Sequence, residues 1–176
     1  MSGPVAEADA PTPDHRPGEP VPEPCLERSP SRLAEVGGIP VRRALPRRQR
    51  RTVGAWCFVD HFGSADAPGP DDPAMGIGPH PHIGLQTVTW LLRGEALHRD
   101  GLGSEQPIRP GQLNVMTAGR GLSHSEETVH EPKLTQHGAQ LWVALPDRSR
   151  HTDPAFEHHA DLPTLDLGGV RATVMV

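Results

Sequence analysis

Along most of this chain, apolar and polar residues alternate in short stretches broken by glycine and proline. VGGIPVRRAL (36–45) and RTVGAWCFVDHFG (51–63) place β-branched and aromatic residues between turn signals, which is a strand pattern. SADAPGPDDPAMGIG (64–78) reads as a loop. TVTWLLRG (87–94) is a strand that turns at Arg93-Gly94, and EALHRD (95–100) runs back antiparallel to it. DGLGSE is a further turn, and PIRPGQLNVMTAG (107–119) holds a strand entered through Pro110-Gly111. GAQLWVALP (138–146) and VRATVMV (170–176) complete the series. Short strands at this spacing predict an all-β sandwich or barrel. No stretch has the period of a three-turn amphipathic helix, and no short repeat is present.

Composition sharpens this picture at the N-terminus. Residues 1–31 carry eight prolines and almost no large apolar side chains. Such a segment buries too little surface to offset its ordering entropy, so it reads as a disordered proline-rich tail. The remaining length suits a single domain. Proline (21) and glycine (19) are both abundant, as a turn-rich fold requires.

Charge and cysteine usage exclude several classes. The net charge of −5 leaves no global footprint for nucleic acid. Arginines at 42, 43, 47, 48, 50 and 51 form a local basic run, but no aromatic residues interleave with them for base stacking. A solvated strand edge or hairpin accounts for that run. Cys25 and Cys57 cannot make a disulfide framework. The N-terminus has acids and prolines where a secretory signal needs a basic start and an apolar stretch. No run approaches the ~20 apolar residues of a membrane span. The expectation is a reduced, cytoplasmic protein.

Two short words carry candidate chemistry. PHPHIG (79–84) places His80 and His82 at i and i+2, and HSE (124–126) places His124 and Glu126 at the same spacing. In a strand, such pairs point to one face. His124 stands 42 positions after His82, enough for two hairpins that return the chain beside its start. Three imidazoles and a carboxylate would then converge. Imidazole suits Fe, Ni, Cu and Zn, and the carboxylate shifts the preference toward Fe or Mn. Spacing alone leaves another reading open, in which an HxH in a proline-rich loop is a surface accident. His61, His98, His130, His137, His158 and His159 show no comparable partner.

PHPHIGLQTVTWLLRGEALHRDGLGSEQPIRPGQLNVMTAGRGLSHSE resembles the N-terminal cupin domain of the pirin family. The resemblance extends from DHFG (60–63) to HGAQLWVALP (137–146) and covers roughly residues 33–160. It implies a cupin jelly-roll β-barrel that binds one iron through His80, His82, His124 and Glu126. It also implies a domain at 32–160, followed at 161–176 by a linker and the start of a second barrel or a terminal strand. Three features depart from the family pattern. Gln86 stands where cupins commonly carry a glutamate, and Ile83 where pirins commonly carry a basic residue. Pirins also resemble two-barrel proteins of nearly twice this length. A single barrel would expose an apolar face, which favours a dimer.

Two functions follow from the resemblance. Some pirins resemble quercetin dioxygenases, which open a flavonol ring with O₂ and release carbon monoxide. Fe(II) is then the expected metal, with Ni, Mn, Cu or Zn as substitutes, and Glu126 serves as general base. Met116, Trp90 and Leu92 are candidates for an apolar lining, with core packing as the alternative role. Other pirins resemble redox-sensitive regulators that dock a transcription factor or metabolic enzyme through an iron-dependent surface. Direct contact with nucleic acid or membrane is not expected.

Overall fold

The computed structural model describes residues 27–63, 76–128 and 136–175. Residues 1–26 of the proline-rich segment and 64–75 of the expected loop lie outside the described residues, as does His130. The described residues form thirteen strands and no helix. In chain order they are β1 (Arg32–Val36), β2 (Ile39–Leu45), β3 (Trp56–Phe62), β4 (Ile77–His82) and β5 (Leu85–Arg93). β6 (Ala96–Asp100), β7 (Glu105–Ile108), β8 (Leu113–Thr117), β9 (Leu122–Glu127) and β10 (His137–Ala144) follow. β11 (Ala155–His159), β12 (Thr164–Asp166) and β13 (Arg171–Thr173) end the series.

Two antiparallel sheets carry the architecture. One has seven strands in the order β1-β2-β3-β10-β5-β8-β11, and the other has four in the order β4-β9-β6-β7. β12 and β13 form a separate hairpin. Side chains from both sheets meet between them: Ile39, Val41, Phe62 and Leu91 from the larger sheet pack with Ala96 and Ile108 of the smaller. Met116, Ala118 and Leu122 form a second cluster, capped by Phe156 of β11. Each fully buried side chain of this kind stabilises the fold by about 1.5–3 kcal/mol. Met116 is therefore core rather than pocket lining, Trp90 packs beside Val88 and Leu113, and Leu92 points outward.

The path from one histidine word to the other follows the hairpin logic. β5 leaves the end of β4 and turns into β6, and β7 leads into β8. The chain then turns through Gly119 into β9, which pairs antiparallel with β4. Gly119 has φ +52°, and a side chain there would strike the carbonyl of Thr152, so glycine fits this turn.

The arginine run divides between roles. Arg43 of β2 faces Asp60 of β3 and makes a two-pronged ion pair at 2.7 and 2.6 Å, with its guanidinium 4.8 Å from the Phe58 ring centre. Arg48, Arg50 and Arg51 are exposed on the loop after β2.

Candidate metal centre

β4 and β9 pair with His80 directly opposite His124 and His82 opposite Leu122. On its other edge β9 pairs with β6, which sets Asp100 opposite His124 and His98 opposite Glu126. Three adjacent strands thus deliver side chains of one alternating set to the inner face of the small sheet.

The result is a cluster. One ring nitrogen from each of His80, His82 and His124 lies within 4.8 Å of the others. The His80 ring centre is 4.9 Å from that of His82 and 4.4 Å from that of His124. His124 is only 3% exposed, and His80 and His82 are half-buried. Trp142 of β10 meets the His82 ring edge-on at 4.8 Å and fixes it from the opposite sheet.

Hydrogen bonding marks which nitrogens are free. His80 Nδ1 lies 2.9 Å from the carbonyl of Gly78, so it carries the proton and leaves Nε2 as a lone pair. His124 Nε2 is buried with no partner among the described residues, an arrangement that is costly unless a ligand completes it. Burial, reinforced by the neighbouring His80, pushes the His82 pKa down to about 4. Burial, with His80, His98 and His82 nearby, pushes His124 to about 3. Three imidazoles with converging ring nitrogens are the donor set that a divalent transition metal takes, so the residues fit such an ion.

Glu126 stands at the edge of this group rather than within its tightest part. A register shift in the β4–β9 pairing between Ile77 and His80 sets Ile77 opposite Glu126. The carboxylate is held by Thr89 of β5, whose Oγ1 is 3.1 Å from Glu126 Oε1 and 2.8 Å from Gln140 Oε1. Glu126 lines a small enclosed space of about 30 Å³ together with Ile39, Val41, Phe62, Ile77 and Trp142. Burial pushes its carboxyl pKa up, against the pull of Thr89, His98 and His80. Gln86 points elsewhere, donating to Thr117 Oγ1 at 2.9 Å.

Sequence reasoning missed two neighbours of the cluster. Trp142 gave no signal beyond its strand. His98 did: H-x-D at 98–100 repeats the i, i+2 spacing of the other two words. His98 Nδ1 lies 3.4 Å from His124 Nδ1, and His98 Nε2 lies 3.0 Å from Asp100 Oδ2. His61 and His137 contact each other at 2.8 Å on the larger sheet, without a third ligand among the described residues.

Two facing antiparallel sheets with an imidazole cluster on the inner face define a cupin-type β-barrel. A family model described as Pirin matches residues 38–143, and the chain belongs to the pirin family. The Pseudomonas aeruginosa protein named "Putative quercetin 2,3-dioxygenase PA1205" is 54% identical over 155 residues, covering 87% of this chain and 48% of the relative. A pirin-like protein of Caulobacter vibrioides is 41% identical over 150 residues, covering 82% and 52%. The crystal structure of a quercetin 2,3-dioxygenase from Acinetobacter baumannii superposes with a TM-score of 0.76 at 53% identity, covering 84% of this chain and 49% of that one. The chain spans about half the length of the curated relatives it matches. No helix among the described residues is long and apolar enough to cross a membrane.

Proposed function

We propose that this chain holds one Fe(II) through His80, His82, His124 and Glu126 and serves a dioxygenase that acts on flavonols such as quercetin. The observation that carries this reading is the convergence of three imidazole nitrogens within 4.8 Å, one of them the buried, partnerless Nε2 of His124. The names of the similar Pseudomonas and Acinetobacter proteins supply the substrate class. Ni, Mn, Cu or Zn suit the same donors. In this reading residues 32–160 form the metal-holding unit, and 161–176 a linker and the start of a second barrel or a terminal strand.

When bound, the metal supplies Lewis-acid polarisation and a meeting point for O₂ and the flavonol. The chain's own residues handle the proton. Glu126 accepts the hydroxyl proton of the flavonol on its carboxylate, as a ligand or after release from the metal. Thr89 holds Oε1 and so fixes the carboxylate in place. Ile39, Val41 and Phe62 line the small cavity beside the carboxylate, together with the polar Asp60 and Gln140.

A second reading is a redox-sensitive regulator that docks a protein partner. The size of the enclosed space at Glu126 favours it: about 30 Å³ holds roughly one water, far below a typical ligand pocket of about 300 Å³ or more.

The deciding experiment is metal analysis of anaerobically purified protein, followed by a quercetin assay on the same sample. The dioxygenase consumes O₂ and quercetin together and releases carbon monoxide. Glu126→Gln loses turnover well beyond its loss of metal, because an amide can ligate through oxygen but cannot take the proton. Activity equal to that of free iron at matched concentration, or full activity in the Gln variant, defeats the mechanism. Bound iron with no turnover favours the regulator.

A further inference from the structure

The turn after β6 is tied to the metal centre through a line of side-chain hydrogen bonds. Asp100 Oδ1 accepts the backbone N–H groups of Leu102 at 2.9 Å and Ser104 at 3.0 Å. Those two donors leave Oδ2 as the atom that meets His98 Nε2 at 3.0 Å. His98 is itself 4% exposed, and its ring stacks on Phe156 with centres 4.2 Å apart and planes 14° apart. The stacking fixes the plane of the imidazole, and its Nδ1 faces His124 Nδ1 at 3.4 Å.

The chemistry of each group sets the direction of the line. An ionised carboxylate only accepts, so His98 Nε2 must carry the proton. In the Nε2–H tautomer of His98, Nδ1 is bare and accepts from His124 Nδ1–H. His124 is left with its lone pair on Nε2, the atom that is buried without a partner.

We infer that Asp100 and His98 are positioning residues which, through this relay, lock His124 in the tautomer that offers Nε2 to a metal. The inference rests on the metal-centre reading for its purpose, but the tautomer is a property of the metal-free protein as well. Outer partners of this kind change metal affinity by about 10–100-fold when removed.

Asp100→Asn tests the direction of the relay. The two turn amides require an oxygen at the Oδ1 position, so the new NH₂ group faces His98 Nε2. His98 must then accept at Nε2 and carry its proton on Nδ1. His124 must accept at Nδ1, and its proton moves to Nε2. Long-range ¹H–¹⁵N NMR of metal-free protein reads this directly: His124 is protonated at Nδ1 in the parent chain and at Nε2 in Asp100→Asn. Fe(II) affinity, measured anaerobically by competition with a chromophoric chelator, falls about 10–100-fold in the variant. His98→Phe keeps the stack on Phe156 but removes the acceptor, and it loses affinity in the same range with no single His124 tautomer. Retention of the Nδ1–H form of His124 in both variants overturns the inference. So does parent-level Fe(II) affinity in both. A parent chain that binds no Fe(II) refutes the metal reading, and the tautomer measurement still decides the relay.

Discussion

At His82 and His124 the burial that removes water from the rings also keeps protons off them. The unfolded chain protonates both near the ordinary value of 6.5, whereas the folded chain resists until about pH 4 at His82 and about pH 3 at His124. Their contribution to the stability of metal-free protein is therefore complete above pH 6.5 and is lost on acidification through that window. The slope is ~1.4 kcal/mol per pH unit for a fully effective group, and half-exposed His82 contributes less. His137 and His158 are also lowered by burial and act in the same direction. Glu126, raised by burial, opposes them: its contribution is present below the ordinary carboxyl value and fades as pH rises through its folded one. One carboxyl against four imidazoles leaves a net loss toward acid. Urea midpoints of metal-free protein should fall steadily from pH 7 to pH 4.5, and a flat or rising series would contradict this account. At the same scale, His82→Ala removes one of three converging nitrogens and should abolish most metal binding. Full metal occupancy in that variant, by elemental analysis, would sink the ligand assignment.

Strand β10 shows how tightly the elements are fitted. It lies between β3 and β5, and a side chain on Gly138 would come within 2.4 Å of the Trp90 carbonyl and 2.9 Å of the Phe62 ring. Gly138→Ala must push β5 or the Phe62 ring aside, at a cost of about 1–3 kcal/mol. An unfolding midpoint indistinguishable from that of the parent would show that the sheet yields freely there. The element scale also shows what the residue pattern could reveal. TVTWLLR alternates as a paired strand should and becomes β5. PHPH carries prolines that cannot donate to a ladder, yet it forms β4, as the strand reading of its i, i+2 spacing expects. That strand is the edge of the small sheet, where missing N–H groups are tolerated. AFEHH of β11 is too short and polar to declare itself. The two histidine words were legible because i, i+2 spacing is local. The register shift opposite Glu126 was not, because it belongs to the pairing of two strands, β4 and β9, that are distant in sequence. His98 escaped for the same reason: its partner His124 is supplied by the β6–β9 pairing.

For the molecule as a whole, the question is how much of the chain the fold needs. The buried clusters draw on residues from Ile39 to Leu122, with Phe156 packed against them. The strands that deliver His80, His82, His124 and Glu126 begin at Ile77. Residues 27–31 are exposed, and their visible ties are surface contacts such as the Glu27–Arg50 ion pair, a kind that contributes little to stability. Upstream of them, the composition offers no apolar surface comparable to any one of these clusters. Removal of residues 1–26 should therefore leave the thermal midpoint within about 2 °C of the parent, a shift that corresponds to about 0.5–1 kcal/mol in a domain of this size. Metal content should be unchanged as well. Limited proteolysis should trim the same segment and stop near β1, leaving a resistant remainder. A truncated chain that melts many degrees lower, or protection running throughout the segment, would mean that these residues pack on the barrel despite their composition. Loss of metal without loss of stability would be more telling, because it would place part of the N-terminal segment at the histidine cluster itself.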